Sequence, residues 1–228
     1  FNLYDAYVAA FTSDEPDLAG LISIAEQSLK AYGPHHLMGN ITGNQDRPRF
    51  SSLADGSLRP GEDTKLAGWT REIRHNGQRG YKRMQWLMAS LMSQPGIPCI
   101  YFGDEIADAG GNDPDNRRMM RFSNWNESEQ ETWDMTKEWI TLRKSRMSLM
   151  YGQSSYSTND SAAGLLAIER TYLEEKTITL INTTSKEKRF PILEGTQPTL
   201  LTGSATLERN AIVLPPTAYA ALDIAPNY

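Results

Sequence analysis

The hydrophobic periodicity of this chain changes once, near Tyr151, and that change limits the fold more than any other feature. Before it, apolar residues recur at helical spacing: Leu3, Tyr7, Val8 and Phe11, then Leu18, Leu21, Ile22, Ala25 and Leu29, with Gly33-Pro34 as a stop. Tyr81–Gln94 reads as a third helix between Gly80 and Pro95, with Met84, Met88 and Met92 on a stripe that predicts packing against a sheet. Helix is also expected around Asp63–Trp69 and over Ser128–Ser148. Two short apolar runs interrupt the helices, His36–Ile41 and Ile97–Phe102. The second is continuously apolar and predicts a strand buried on both faces, as in a parallel sheet. After Tyr151 the pattern turns to short strand-like runs: Leu165–Tyr172, Thr177–Asn182, Lys188–Leu193, Thr199–Leu201, Ala211–Leu214 and Ala218–Ile224. Turn formers such as Asn159-Asp160, Glu194-Gly195 and Thr202-Gly203 separate several of them.

This order predicts βα units followed by an all-β module, with a boundary near residue 151. Two parallel strands cannot close a sheet, so further strands are expected upstream. In their absence the apolar faces of Met38, Met88, Leu91 and Ile100 would need another partner: self-association of copies, rearrangement or another chain. In the β module the core is expected to draw on Leu166, Ile168, Leu180, Ile192, Leu200, Val213 and Leu222.

Composition narrows the chemistry. The chain has 228 residues, 39% of them apolar, and a net charge of −5. That excludes a disordered chain, and the acidic balance argues against a nucleic-acid partner. No apolar run approaches the length of a membrane span. One cysteine, Cys99, excludes an intrachain disulfide and a cysteine-rich zinc site, and three histidines are few for a metal enzyme.

Two loops carry groups with chemical potential. Asn44-Gln45-Asp46 follows the first short strand, where α/β barrels place catalytic groups, and Arg47 and Arg49 would keep the Asp46 carboxylate ionised and aimed. The structural alternative is a turn aspartate capping the next helix. Gly110-Gly111-Asn112-Asp113-Pro114-Asp115-Asn116-Arg117-Arg118 follows the second strand. Its glycines would let the backbone approach a ligand, and Asp113 and Arg117 could grip the hydroxyls of a polyol such as a sugar. The alternatives are a calcium loop, for which Asp108, Asp113 and Asp115 supply carboxylates without EF-hand spacing, or a solvated turn. No Gly-Lys-Ser/Thr follows, so the loop is not a phosphate loop.

Three motifs, in order, resemble the α-amylase family of glycoside hydrolases, in the manner of neopullulanases and cyclomaltodextrinases. Gly43-Asn44-Gln45-Asp46-Arg47-Pro48-Arg49-Phe50 resembles the last conserved catalytic motif, at the end of barrel strand seven. Leu91 to Glu105 resembles helix seven and strand eight, and Gly110 to Arg117 the loop that follows. Phe1 to Ala6 is similar to the residues leaving strand six. The resemblance implies that residues 1–150 are the C-terminal part of a (β/α)8 TIM barrel, from the end of strand six to helix eight, and that 151–228 form an antiparallel β-sandwich domain.

It also implies retaining cleavage of α-1,4- or α-1,6-linked glucose oligosaccharides, with an α-glucan as substrate. Retaining chemistry needs a nucleophilic carboxylate and an acid/base carboxyl about 5–5.5 Å apart. The family's pair, an Asp after strand four and a Glu after strand five, precedes the part of the enzyme that this chain resembles. The chain alone is therefore expected to be inactive. Asp46 matches the third carboxylate, a transition-state stabiliser. Gln45 stands where the family usually has His, and its amide can still donate a hydrogen bond without titrating. Asp113 and Arg117 match residues that hold the next sugar on the non-reducing side. No cofactor is expected, and a structural calcium ion in a complete enzyme is compatible with the resemblance. A non-catalytic carbohydrate-binding relative and part of a transglycosylase are the alternative readings. Periplasmic, secreted and cytoplasmic locations are all compatible with the sequence.

Overall fold

The computed structural model describes residues 2–158, 164–193 and 195–224. Phe1, the expected turn at Asn159-Asp160 and Glu194 of the turn at Glu194-Gly195 lie outside the described residues. Two helices open the chain, α1 (Asn2–Thr12) and α2 (Leu18–Tyr32). The residues expected to leave a strand are thus helical from Asn2. Asp17 starts α2 by accepting from the Gly20 amide at 2.8 Å, and the Gly33 amide closes it on Leu29 O. Strand β1 (Gly39–Ile41) follows, then α3 (Phe50–Asp55) and α4 (Thr64–Thr70), the latter capped by Asp63. Helix α5 (Arg79–Ser93) leads into strand β2 (Ile97–Cys99). Helix α6 (Glu127–Ser145) begins with a capping box between Asn126 and Glu129, and α7 (Met147–Tyr151) completes the helical part. The single helix expected over Ser128–Ser148 is thus two, broken at the extended Arg146.

β1 and β2 pair in parallel, Gly39 opposite Ile97. Gly96 makes the pairing possible: its φ is +90°, and a Cβ there would lie 2.4 Å from Met38 O. The strand expected over Ile97–Phe102 ends at Cys99, and it is not buried on both faces: Ile97 and Cys99 are exposed. Ile97 and Cys99 share one face of the strand, which is left open among the described residues, and β2 has only β1 beside it there. Leu37 and Met38, just ahead of β1, are exposed too, Leu37 at 79%.

Helix α5 is buried over nearly its whole length, as a helix apolar on most sides must be. Met88 and Leu91, expected to lack partners, are fully buried in a core shared by α1, α3, α5, α6 and one face of the first antiparallel sheet. That sheet has the order β3-β4-β5-β10-β7, from β3 (Gln153–Thr158), β4 (Leu165–Tyr172), β5 (Glu175–Asn182), β10 (Tyr219–Asp223) and β7 (Thr199–Gly203). A second sheet, β6-β9-β8, is built from β6 (Lys188–Pro191), β9 (Ala211–Leu214) and β8 (Thr206–Glu208).

The larger sheet is buried on both faces. Leu166, Ile168, Ile181 and Ala221 face the helices; Leu165, Ala167, Ile178, Leu180, Ala220 and Leu222 form a second core with Ile212 and Leu214 of β9. The expected β core is therefore divided: Leu180 and Leu222 belong to it, whereas Leu166 and Ile168 point to α5, Ile192 packs at its margin, and Leu200 is exposed. Val213 is buried.

Polar contacts fasten the sheet to α5. Trp86 Nε1 donates to Thr217 O at 3.0 Å, and the Ser93 and Thr179 hydroxyls meet at 2.7 Å. Two buried guanidiniums close the C-terminus of α5. Arg143 donates to Met92 O, Gln94 O and Gly96 O, and Arg170 to Ser93 O and Gly152 O, at 2.6–3.2 Å. Burial pushes each of them down to about 10, and the carbonyl end of the helix partly offsets their charge.

Candidate active site

The two candidate loops meet above the ends of β1 and β2. Beneath them lies an ion pair between Arg49 and Asp104, both almost fully buried, with Nη1 3.0 Å from Oδ1. Arg49 Nη1 also donates to Phe102 O at 2.6 Å, and the guanidinium sits 4.6 Å from the Tyr101 ring centroid and 5.0 Å from that of Phe102. Thr42, just after β1, donates to Asp104 Oδ2 at 2.6 Å and accepts from the Tyr101 amide at 2.9 Å. Burial pushes the Asp104 carboxyl above its ordinary value, and Arg49 and Thr42 oppose that push. Asp104 is thus a structural tie between the strand ends. Arg49, expected to aim Asp46, pairs with Asp104 instead, and Arg47 turns to Asp5 at 3.1 Å.

Asp46 stands on the turn above this pair, its side chain 68% exposed. The turn is set locally: the Asp46 amide donates to Asn44 Oδ1 at 2.9 Å. Asp46 does not cap the next helix, because α3 starts beyond Arg49 with no side-chain cap. Gln45 Nε2 lies 3.3 Å from Asp46 Oδ2, so its amide already points its donor at the carboxylate.

The second loop is moored to helices. The Gly110 amide donates to Ser52 Oγ at 2.9 Å, and the Asn112 amide to Thr64 O at 3.0 Å. A Cβ on Gly111 would lie 2.6 Å from Thr64 O, so here the glycine admits the protein's own chain. Asp115 is spent on the loop itself, accepting from the Gly111 amide and from Arg118. That leaves Asp113 and Arg117 at the surface.

Arg117 joins the two loops. Its Nη1 lies 3.3 Å from Asp113 Oδ1, its Nη2 lies 3.7 Å from Asp46 Oδ1, and Nε and Nη2 both donate to Gln45 O. The structure therefore brings Gln45, Asp46, Asp113 and Arg117 together in one exposed, concerted set. Sequence reasoning missed two supporting groups. Asn116 is fully buried, and its Nδ2 faces three carbonyls of the Asp46 turn: Asn44 O at 3.4 Å, Gln45 O at 2.9 Å and Arg47 O at 2.7 Å. Lys65 of α4 reaches Asp113 at 3.5 Å. The Asn116 position lay inside a motif already noted, but nothing in its type marked it as the buried member; Lys65 carries no signal at all. Among the described residues, no group of three or more His, Cys, Asp or Glu side chains is placed to hold a metal ion, and no helix is long and apolar enough to cross a membrane.

Fold and site together define an α/β segment that ends in antiparallel sheets and presents a carboxylate–guanidinium site at its strand ends. No family model matches the chain. It is similar to a cyclomaltodextrinase of Geobacillus thermopakistaniensis, 26% identical over 189 residues, which are 79% of this chain and 28% of that protein. It superposes on an Anoxybacillus α-amylase with a TM-score of 0.77 and 25% identity, over 100% of this chain and 47% of that one. The α-amylase of Geobacillus thermoleovorans, solved with acarbose, gives a TM-score of 0.74 and 25% identity, over 99% of this chain and 47% of that one. The chain is thus a relative of the α-amylase family, and it corresponds to a partial segment of those enzymes.

Proposed function

We propose that this chain is the segment of a retaining α-glucan hydrolase that binds the sugar rings, and that it lacks the bond-breaking carboxyls. On this reading residues 1–150 belong to a (β/α)8 barrel, from the end of strand six to helix eight, and 151–228 form its C-terminal β-sandwich. Asp46 accepts hydroxyls of the reacting ring and stabilises the oxocarbenium-like transition state, in which those contacts tighten. Gln45 donates to the same ring in the place of the family's His. Asp113 and Arg117 hold the neighbouring ring.

The observation that carries the reading is the position of Arg117, between Asp46 and Asp113 with two donors on Gln45 O. A guanidinium held there sets the separation of two hydroxyl-accepting carboxylates. All three groups are partly open to solvent, as a sugar site must be before a sugar displaces water. One relative supports an oligosaccharide as the substrate: the Geobacillus thermoleovorans enzyme was solved with acarbose.

The test has two arms. The purified 228-residue chain is expected to show no turnover of maltooligosaccharides or an aryl α-glucoside; turnover abolished by Asp46→Asn would overturn the reading. In an enzyme that joins this chain to a segment carrying the nucleophile and the acid/base, Asp46→Ala is expected to lower kcat far more than it weakens substrate binding, and Arg117→Ala mainly to weaken binding. Equal, small effects would refute the assignment.

A further inference from the structure

From the geometry of Trp125 and Trp133 we infer a second carbohydrate site, a platform on the outer face of α6 that takes an α-linked glucan chain. The two rings lie 5.1 Å apart at an interplanar angle of 49°, and both are only half-buried. The third tryptophan of this region, Trp139, points the other way and is fully buried in the core. Helix α6 thus spends one tryptophan on packing and leaves another on its solvent side, next to a tryptophan from the segment that leads into it. Large rings that stand side by side with part of each still open to solvent make a contiguous apolar patch of the kind that marks a binding surface. Phe122, three residues before Trp125, is 82% exposed.

The pair is held in place before any ligand arrives. Trp125 Nε1 donates to Arg121 O at 3.0 Å, which fixes its ring, and Arg121 is tied to Asp108 and Glu129. A polar rim runs beside Trp133 on the same helix face. Gln130 donates to Asp134 at 2.9 Å, Lys137 pairs with Asp134 at 2.7 Å, and the Lys137 ammonium stands 5.7 Å from the Trp133 centroid. Apolar ring faces with donors and acceptors at their edge match a pyranose, whose C–H faces are apolar and whose rim carries hydroxyls.

The tilt of 49° suits an α-linked chain, which turns at each residue, better than a straight, ribbon-like β-linked chain. The choice of an α-glucan rests on the proposed function; the existence of a platform does not. The platform is built from residues other than those of the Asp46 site: Trp125 lies eight positions after Arg117, so their Cα atoms are at most about 28 Å apart.

The test titrates the 228-residue chain with maltoheptaose and, in parallel, with cellohexaose by calorimetry. Maltoheptaose is expected to bind and cellohexaose to fail. Trp133→Leu and Trp125→Leu should each weaken maltoheptaose roughly tenfold, while Trp133→Tyr, which keeps a ring face, should retain most of the affinity. Thermal melts of each variant report folding, and the tyrosine variant preserves the test if a leucine variant unfolds. Asp46→Asn and Arg117→Ala should leave the platform affinity unchanged. Binding that survives both tryptophan changes but falls with Arg117→Ala would place the sugar at the other site and overturn the inference. So would equal binding of cellohexaose, or no binding of maltoheptaose at millimolar concentration. Platform binding that persists in a joined enzyme indifferent to Asp46→Ala would refute the proposed function and leave this inference standing.

Discussion

Replacing Asp104 by Asn isolates the charge beneath the candidate site from its volume, because the two side chains have nearly the same shape. In the native fold Arg49 and Asp104 are both almost completely buried. The variant leaves a buried guanidinium with a neutral amide oxygen in place of the carboxylate, Phe102 O and two aromatic faces. Breaking one side of a buried pair costs about 3–5 kcal/mol, and the two ring faces and the Phe102 carbonyl place this case near the lower end, about 3 kcal/mol. For a chain of this length, that corresponds to a fall in Tm of about 6–12 °C. Urea unfolding followed by circular dichroism measures it directly. The double variant Arg49→Met/Asp104→Asn removes the stranded charge together with the Arg49 Nε and Nη2 atoms, which have no hydrogen-bond partner among the described residues. It should therefore be more stable than Asp104→Asn alone, by at least about 1 kcal/mol. A cost below about 1 kcal/mol for Asp104→Asn would refute the reasoning, because it would show that the carboxyl is already neutral in the fold. A double variant no more stable than Asp104→Asn would refute it as well.

Two further expectations concern the neighbouring contacts. Asn116→Leu removes the amide that faces Asn44 O, Gln45 O and Arg47 O; a loss of about 1–3 kcal/mol is expected, with faster amide exchange at Asp46 and Arg47 and unchanged protection in α5. Unchanged exchange at Asp46 would show that the turn holds itself. Burial alone would raise the Asp55 carboxyl, but hydrogen bonds from His75 and from the Ser57 and Asn76 amides outweigh it and hold the carboxyl below its ordinary value. Asp55 therefore stabilises the fold above its unfolded pKa of about 3.9, and that contribution is lost as pH falls through the lower folded value. Melting curves from pH 7 to pH 3 should show this acid limb flattened in Asp55→Asn, and an unaltered limb would refute the linkage.

The sequence was legible where one physical signal decided the outcome. Helical spacing placed α1, α2 and α5, and short apolar runs placed β4 and β9 to the residue. It failed where burial depends on what lies beside an element. Ile97–Phe102 has the composition of an enclosed strand, yet an enclosed strand needs elements packed on both of its faces, and composition cannot supply them. Edge strands failed for the opposite reason: β3 and β8 carry few apolar residues because they border solvent, so they left no run to detect. The division of the β core was recoverable in part. Leu165, Leu166, Ala167 and Ile168 are consecutive and all buried, a pattern of two covered faces rather than one. At the site, motif resemblance named Gln45, Asp46, Asp113 and Arg117, which the fold does bring together. The roles of Arg49, Lys65 and Asn116 needed coordinates, because neither a hydrogen bond to a backbone carbonyl nor an ion pair between separate elements leaves a mark on residue type.

The sheet covered on both faces limits how freely the tail can be exchanged among relatives. A foreign β module grafted after Gly152 would meet an α5 shaped for this one: Trp86 would need a carbonyl where Thr217 offers it, Ser93 a hydroxyl where Thr179 does, and the Ser93 carbonyl a guanidinium from the fourth strand. Such a graft would leave those groups buried without partners unless the facing side of α5 were carried across with it. The change of periodicity at Tyr151 is a seam in the sequence but not in the packing, so the unit that recombination can move without loss begins inside the helical half, at α5.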